Sequence, residues 1–334
     1  MPRLSIVIPA LRLTEAFEDT LASVLRNRPS ACEVIVVHPQ PYGDPYDLAG
    51  EVRFVEAPGR SSLAGLLRVG MGVARGQSIH VLQPGLEVTE GWTGPACRRL
   101  EADPRVGAVA PLVLTVGDRP RIVSAGIEYT TGGRQRRLAA GRRYHPAGQH
   151  RGRPTCPSLN AAFYRAVAVR QAHVWGDEWE DEWLDVQIGL SLTGAGYSCE
   201  LEPQSVVYAM HRHAPGGGGF RAGRRAEQLF RQHAPRRGRL RSWLAHPAAI
   251  LVEFLTLLPR PAALGMLAGR LSELCSAGVG ARRMDRPQAA GEVRPHRPNE
   301  AVLPAHCRID GAHHQVEKVT QTQKAVPPRG VASR

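Results

Sequence analysis

The stretch "GMGVARGQSIHVLQPGLEVTEGW", residues 70–92, decides the fold. Ser78 to Leu82 reads as a short buried strand, and Gln83-Pro84-Gly85 closes it in a turn. The residues before it, "SLAGLLRVGMGVARG", predict a helix ending at Gly76. A helix that feeds a buried strand is half of an α/β unit, and the pattern repeats on both sides. Upstream, Leu4 to Pro9 is a continuous apolar run, as expected of a parallel strand buried on both faces. Thr14 then stands as an N-cap before "EAFEDTLASVLR", which sets Phe17, Leu21, Val24 and Leu25 on one helical stripe. Pro29 follows the stop, "CEVIVVHPQ" is a second buried strand and "VRFVEAP" a third. Downstream come a helix, "WTGPACRRLEAD", and a strand, "VGAVAPLVL". Strands and helices alternating at this spacing predict a mostly parallel central sheet with helices on both faces.

From about residue 117 to 155 the chain turns loop-rich and basic, with seven arginines and no acid between Arg134 and Arg153. "SLNAAFYRAVAVRQA" and the acidic "WGDEWEDEWLDVQIGLSLTGAGY" follow, the latter ending in a helix near Gly196, and "SCELEPQSVVYAMHRH" closes the fold with strands. This division predicts an α/β domain over residues 1–235, a helical segment over 236–275 and a disordered basic tail over 276–334. The tail is rich in Pro, Gly, Arg, His and Gln and has few periodic apolar positions.

The net charge of +13 comes from 43 basic residues, all arginine except Lys318 and Lys324. With only 5% aromatic residues there is no stacking platform for bases, so no specific nucleic-acid partner is expected. The six cysteines are scattered without a C-x-x-C pair, which excludes a zinc ribbon or small disulfide scaffold and makes a reducing cytoplasm the default. "WLAHPAAILVEFLTLLPRPAALGML", residues 243–267, is broken by His246, Pro247, Glu253, Pro259, Arg260 and Pro261, so it is not read as a spanning helix. It predicts helices packed on their own domain, with peripheral contact at the inner face of a membrane through residues 243–268 as the alternative. "GMGVARG" lies inside a helix and is no dinucleotide fingerprint, and there is neither a P-loop nor a G-x-S-x-G.

Six segments in order resemble the family-2 glycosyltransferases, whose GT-A fold binds nucleotide sugars. They are "LSIVIPA", "LASVLRNRPSACEVIVV", "GMGVARGQSIHVLQPG", "ADPRVGAVAPLV", "AGIEYTTGG" and "SLNAAFYRAVAV…WGDEW…DVQIGLSLTGAGY…EPQSVVY", spanning roughly residues 3 to 235. The resemblance implies transfer of a sugar from a nucleotide diphosphate to a saccharide or lipid-linked acceptor hydroxyl, as in polysaccharide biosynthesis. That chemistry needs a group to neutralise the leaving diphosphate, usually a divalent cation on an Asp-x-Asp pair, and a carboxylate base for the acceptor proton.

Residue by residue, the resemblance puts Gln83-Pro84-Gly85 where the family has Asp-x-Asp, so bound Mn or Mg is not supported, and Glu87 is the nearest acid. It puts Pro9 at the end of the first strand, His38 in place of an Asp that meets the nucleoside, with Asp44 a distant stand-in, and Arg68 in place of an Asn. Asp185 matches the position of the general base, flanked by Leu184 for Glu and Gln187 for a second Asp; a plain helix-terminal carboxylate is the other reading. Glu178, Glu180, Asp181 and Glu182 are read as a solvated acidic loop. In place of a metal, Gly216 to Gly219 with Arg221, Arg224 and Arg225 are read as either a mobile anion-binding loop or a plain basic one. His211 and His213 form an H-x-H pair without carboxylate partners. The expectation is a metal-independent glycosyltransferase. The alternative is an inactive relative that keeps the fold as a binding or scaffold module.

Overall fold

The computed structural model of the chain describes residues 2–59, 62–145, 152–172, 181–210, 219–233 and 239–280. The tail beyond residue 280, His211, His213, Gly216 to Gly218, Glu178 and Glu180 lie outside these residues. In chain order the elements are β1 (Leu4–Pro9), α1 (Glu15–Asn27), β2 (Cys32–His38), β3 (Val52–Glu56), α2 (Leu63–Val73), β4 (Ser78–Leu82), β5 (Leu86–Val88), α3 (Gly94–Ala102) and β6 (Val106–Thr115). They continue with β7 (Ile122–Ser124), β8 (Ile127–Tyr129), β9 (Gln135–Arg137), β10 (Ala161–Arg165), α4 (Ala166–Gln171), α5 (Leu184–Gly194), β11 (Ser198–Ala209), α6 (Phe220–His233), α7 (Arg239–Leu257) and α8 (Ala262–Gly280).

The main sheet runs in the order β3-β2-β1-β4-β10-β6-β11-β5, with β7 added on β6. The pairs among β3, β2, β1 and β4 are parallel, and so is β6 with β11. β10 is antiparallel to both β4 and β6, so β1, β2, β3, β4, β6 and β11 all point one way. This is the α/β class expected from the sequence.

Alternation along β1 divides the core. Ile6 and Ile8 pack with Phe17, Leu21 and Val24 of α1 and with Leu100 of α3. Val7 faces the other side, where Leu66, Leu67 and Met71 of α2 meet Ile188 and Leu192 of α5. Helices therefore cover both faces, and each fully buried aliphatic side chain contributes about 1.5–3 kcal/mol. Beyond the sheet, Ala222, Ala226 and Leu229 of α6 pack with Met266 of α8, Ile127 of β8, and Trp183.

Some boundaries differ from the sequence reading. α2 stops at Val73 rather than Gly76, because Ala74 is extended at φ −65°, ψ 132°. Gly76 is then pressed against β1, where a Cβ would lie 2.5 Å from the Ser5 backbone nitrogen. Thr14 occupies the N-cap position without a side-chain hydrogen bond. The loop-rich stretch from about 117 to 155 holds three short strands, β7, β8 and β9, with β8 and β9 paired as a hairpin. Arg221, Arg224 and Arg225 are not in a loop: they sit on α6, whose Ala222, Ala226, Leu229 and Phe230 supply the buried stripe that holds it helical.

Candidate active site

The carboxyl ends of parallel strands form the edge where α/β proteins place ligands. Here β1, β2 and β4 end together: Pro9 pairs with Val37 and Val7 with Val81. Pro9, His38 and Gln83 thus share this edge, but much of it is internally bonded. The Gln83 amide donates to the Asn160 carbonyl at 2.8 Å. Gly85, at φ 87°, donates to Thr20 Oγ1 of α1 at 2.9 Å and closes the turn that only a residue tolerant of positive φ adopts cheaply. His38 is buried, its Nδ1 bonded to the Gln40 carbonyl and its ring set beside Tyr42 and Phe54. Asp44 spends its carboxylate on the amides of Leu48 (3.0 Å) and Ala49 (2.9 Å) of its own loop. Arg68 is half-buried on α2.

Glu87 lies in the middle of β5 opposite Tyr208. Its neighbours Leu86 and Val88 enter the core, so alternation turns Glu87 to the other face. Among the described residues no group of three His, Cys, Asp or Glu side chains is placed to hold a metal ion. The Gln83-Pro84-Gly85 turn itself offers a side-chain amide and no carboxylate.

Two adjoining clefts gather the chemistry instead. The first, of about 480 Å³, is lined by Arg134 and Arg137 of the β8–β9 hairpin, by Trp183 and Asp185, and by Glu253 and Met266 of the C-terminal helices. The second, of about 580 Å³, is lined by Ser62, by Arg221, Arg224 and Arg225, and by Gln228. Asp181 and Glu182 line both.

Asp181 sets the position of the clefts. Its carboxylate accepts from the Leu63 amide at 3.1 Å and the Ala64 amide at 2.8 Å, capping α2 together with Ser62, whose hydroxyl accepts from Gly65. Asp181 is exposed, as the reading of a solvated acidic loop expects, and it has a structural task besides: a helix N-terminus has orphan amides, and this carboxylate satisfies two of them. Because α2 follows β3, its N-terminus lies at the carboxyl edge, and the second cleft lies there with it.

Asp185 stands in the first turn of α5, half-buried, with Oδ1 accepting from the Val186 amide at 2.9 Å. Burial pushes its carboxyl above the ordinary value, while the Val186 amide and the nearby Arg137 pull it back. One turn further, Gly189 lets α5 touch the segment at Cys156, which is bridged to Ile127 of β8, since a Cβ there would lie 2.4 Å from Cys156 Cβ. Just before α5, Trp183 holds a left-handed backbone (φ 63°) that few tryptophans adopt. Its ring meets Tyr129 edge-on, and the Arg270 guanidinium lies 5.8 Å from its centre.

On α6, Arg221, Arg224, Arg225 and Gln228 follow helical spacing and share one face. Arg225 is buried and donates to Gln187 Oε1 of α5 at 2.6 Å, so the glutamine in place of an expected Asp serves as a neutral acceptor for an arginine. Arg224 pairs with Glu273 of α8 at 3.2 Å, and Arg221 is exposed. The structure thus brings Asp185, Arg221, Arg224 and Arg225 to neighbouring clefts, while Pro9, His38, Arg68, Gln83 and Gly85 line neither.

Sequence reasoning missed Arg134, Arg137 and Trp183. The two arginines were present in the basic run, but nothing in it announces the hairpin that carries them to Asp185.

No protein family's sequence pattern matches the chain, and no curated protein matches it. Among solved structures it is similar to the mannosyltransferase PcManGT from Pyrobaculum calidifontis, determined in complex with GDP-Man and Mn2+. That likeness has a TM-score of 0.48 at 16% identity and covers 84% of this chain and 80% of that one.

Proposed function

We propose that the protein is a glycosyltransferase of the family-2, GT-A kind, moving a sugar from a nucleotide-diphosphate donor to an acceptor hydroxyl without a bound metal. The observation that supports this most is the pairing of a half-buried carboxylate, Asp185, with an arginine-lined cleft at the carboxyl edge of the sheet. In this reading the acceptor hydroxyl approaches Asp185 in the first cleft. An Asp185 oxygen takes its proton as the acceptor oxygen bonds to the anomeric carbon. The bond from that carbon to the nucleoside diphosphate breaks, and the charge released is balanced by Arg221, Arg224 and Arg225. Guanidinium groups suit this task because they bind phosphate oxygens in pairs. The acceptor is a saccharide or lipid-linked glycan, and the setting is the cytoplasm or the inner face of a membrane.

The inactive-relative reading is favoured by the locked backbone at Gln83 and Gly85 and by the want of carboxylates there. One experiment separates the two. Full-length protein is titrated with UDP, GDP and dTDP, with manganese and with EDTA, and its transfer activity is compared with that of Asp185→Asn. The enzyme reading expects one nucleotide to bind regardless of EDTA, and Asp185→Asn to lose roughly 10²–10⁴-fold in turnover while staying folded. Binding without turnover in either protein establishes the scaffold. Manganese-dependent binding overturns the metal-free mechanism.

A further inference from the structure

Helix α7 is inside out. Its three buried residues among those described are all polar: Ser242, His246 and Glu253. Its large exposed residues are Leu240, Trp243, Leu244, Leu251, Val252 and Leu255, with Leu240 and Leu244 exposed by 74% and 71%. A helix on the surface of a water-facing domain shows the reverse. Leu240, Leu244, Leu251, Leu255 and Leu258 recur at +4, +7, +4 and +3, so they form one stripe. Leu264 and Leu271 of α8 are exposed as well. Between the helices an apolar groove of about 420 Å³ is lined by Trp243, Leu251, Phe254, Leu267 and Leu271. Nine of the fifteen large exposed apolar side chains among the described residues fall between positions 240 and 271, a concentration that marks an interaction surface.

Two of the three buried polar residues hold partners elsewhere in the domain. His246 bonds Glu227 at 2.8 Å and the Gly132 carbonyl at 2.6 Å, and Glu253 receives Arg270. The helix is therefore fixed with its leucines outward.

Charge selects the occupant. Of the two carboxylates in residues 239–280, Glu253 is buried and Glu273 is paired with Arg224. The cations stand free beside the stripe: Arg241 of α7 is exposed, and exposed Arg260 stands between the two helices. A second copy of the chain would add another set of arginines with no carboxylate to face them. An anionic lipid surface supplies both the apolar layer and the opposite charge. No helix among the described residues is long and apolar enough to cross a membrane, so the contact is one that lies on the surface. We propose that α7 and α8 seat the protein on an anionic membrane, with the leucine stripe in the headgroup boundary and the arginines against the lipid phosphates. Glu253, Thr256, Leu257 and Met266 of the same helices wall the Asp185 cleft. If that cleft takes the acceptor, as proposed above, the acceptor is itself membrane-borne.

The test is co-flotation of the full chain with phosphatidylcholine vesicles, with and without about one third phosphatidylglycerol, at about 0.1 M salt. The expected result is binding to the anionic vesicles, weakened ~tenfold or more by Leu244→Ser with Leu251→Ser and lowered also by Arg241→Gln with Arg260→Gln. Unfolding curves and light scattering accompany each variant. Equal flotation of wild type and the leucine variant overturns the proposal, as does a wild type that floats with neither vesicle. So does a dimer that the leucine variant turns into a monomer. Asp185→Asn floats like wild type, so loss of the catalytic reading and loss of the membrane seat are told apart.

Discussion

Arg270 is the largest fully buried side chain among the described residues, and its removal is the most informative perturbation of the C-terminal helices. Its Nε and Nη2 lie 2.8 and 2.7 Å from Glu253 Oε2. Nη2 also donates to the Gly133 carbonyl at 3.1 Å, and Nη1 lies 3.6 Å from Glu227 Oε2. Arg270→Met keeps most of the volume and removes the charge. It leaves Glu253 buried without its main partner, whereas Glu227 keeps His246 and lies 3.4 Å from Arg231. Breaking one side of a buried pair costs about 3–5 kcal/mol, which for a body of this size lowers Tm on the order of 10 °C. The sign of the pH dependence follows. Burial already raises the Glu253 carboxyl and Arg270 is the chief influence holding it down, so without Arg270 it rises further. A raised carboxyl favours the protonated native state, so the variant's deficit is complete above its raised pKa and shrinks as pH falls through that value towards the wild-type one. Adding Glu253→Gln removes the stranded charge and recovers roughly 1–3 kcal/mol in a double-mutant cycle. Urea unfolding of the four proteins measures this. A single-variant loss below about 1 kcal/mol, or a double variant as unstable as the sum of the singles, refutes the network as described.

His80 is enclosed between Phe163, stacked at 3.8 Å, and Trp92, whose Nε1 donates to His80 Nε2 at 3.2 Å. Burial lowers its pKa from 6.5 to about 3, so the stability it allows is complete above the unfolded value and is lost as pH falls from there towards the folded one. Between about pH 7.5 and about pH 5.5 this group alone removes about 1.4 kcal/mol, and equal pH slopes in wild type and the non-titrating His80→Gln contradict it. Gly189→Ala places a Cβ 2.4 Å from Cys156 Cβ and 2.8 Å from the Thr155 carbonyl, so it costs about 1–3 kcal/mol and shifts Asp185, lowering transfer as well. Unchanged Tm and turnover in that variant dismiss the close approach as the device that places Asp185.

The sheet was legible because buried strands and helical stripes repeat within a few residues of one another. Leu4 to Pro9, Cys32 to His38 and Ser78 to Leu82 carry their fold in local apolar runs. The site was legible only in part. Asp185 stood out through the resemblance, but the partner that polarises its surroundings, Arg137, arrives from a hairpin nearly fifty residues earlier. The arginines of α6 read as a loop in the sequence because glycine and arginine dominate the composition, although Ala222, Ala226, Leu229 and Phe230 have helical spacing. For α7 the period is plain and the direction is not. Periodicity says that one stripe differs from the other, and only the tertiary partners of His246 and Glu253 decide that the polar stripe goes in.

Two departures from the pattern that the sequence resembles are each bonded into the structure. The carboxylates expected after β4 are missing, and the turn that replaces them is bonded to α1 through Thr20. Across the clefts, an expected Asp on α5 is Gln187, and the group it holds is the guanidinium of Arg225. A carboxylate at either place would bind a cation and present a net charge near zero or below to a diphosphate. A neutral amide beside a buried arginine presents a positive one. On the proposed reading the positive charge that stabilises the leaving group has moved from an ion to the face of α6. Arg221 and Arg224 extend that charge along the cleft, and Arg225 fixes it to the helix that carries Asp185. Arg221→Ala with Arg224→Ala should then weaken nucleoside-diphosphate binding far more than nucleoside binding, a difference that calorimetric titration reads directly. Equal weakening of both would leave these arginines a structural role only.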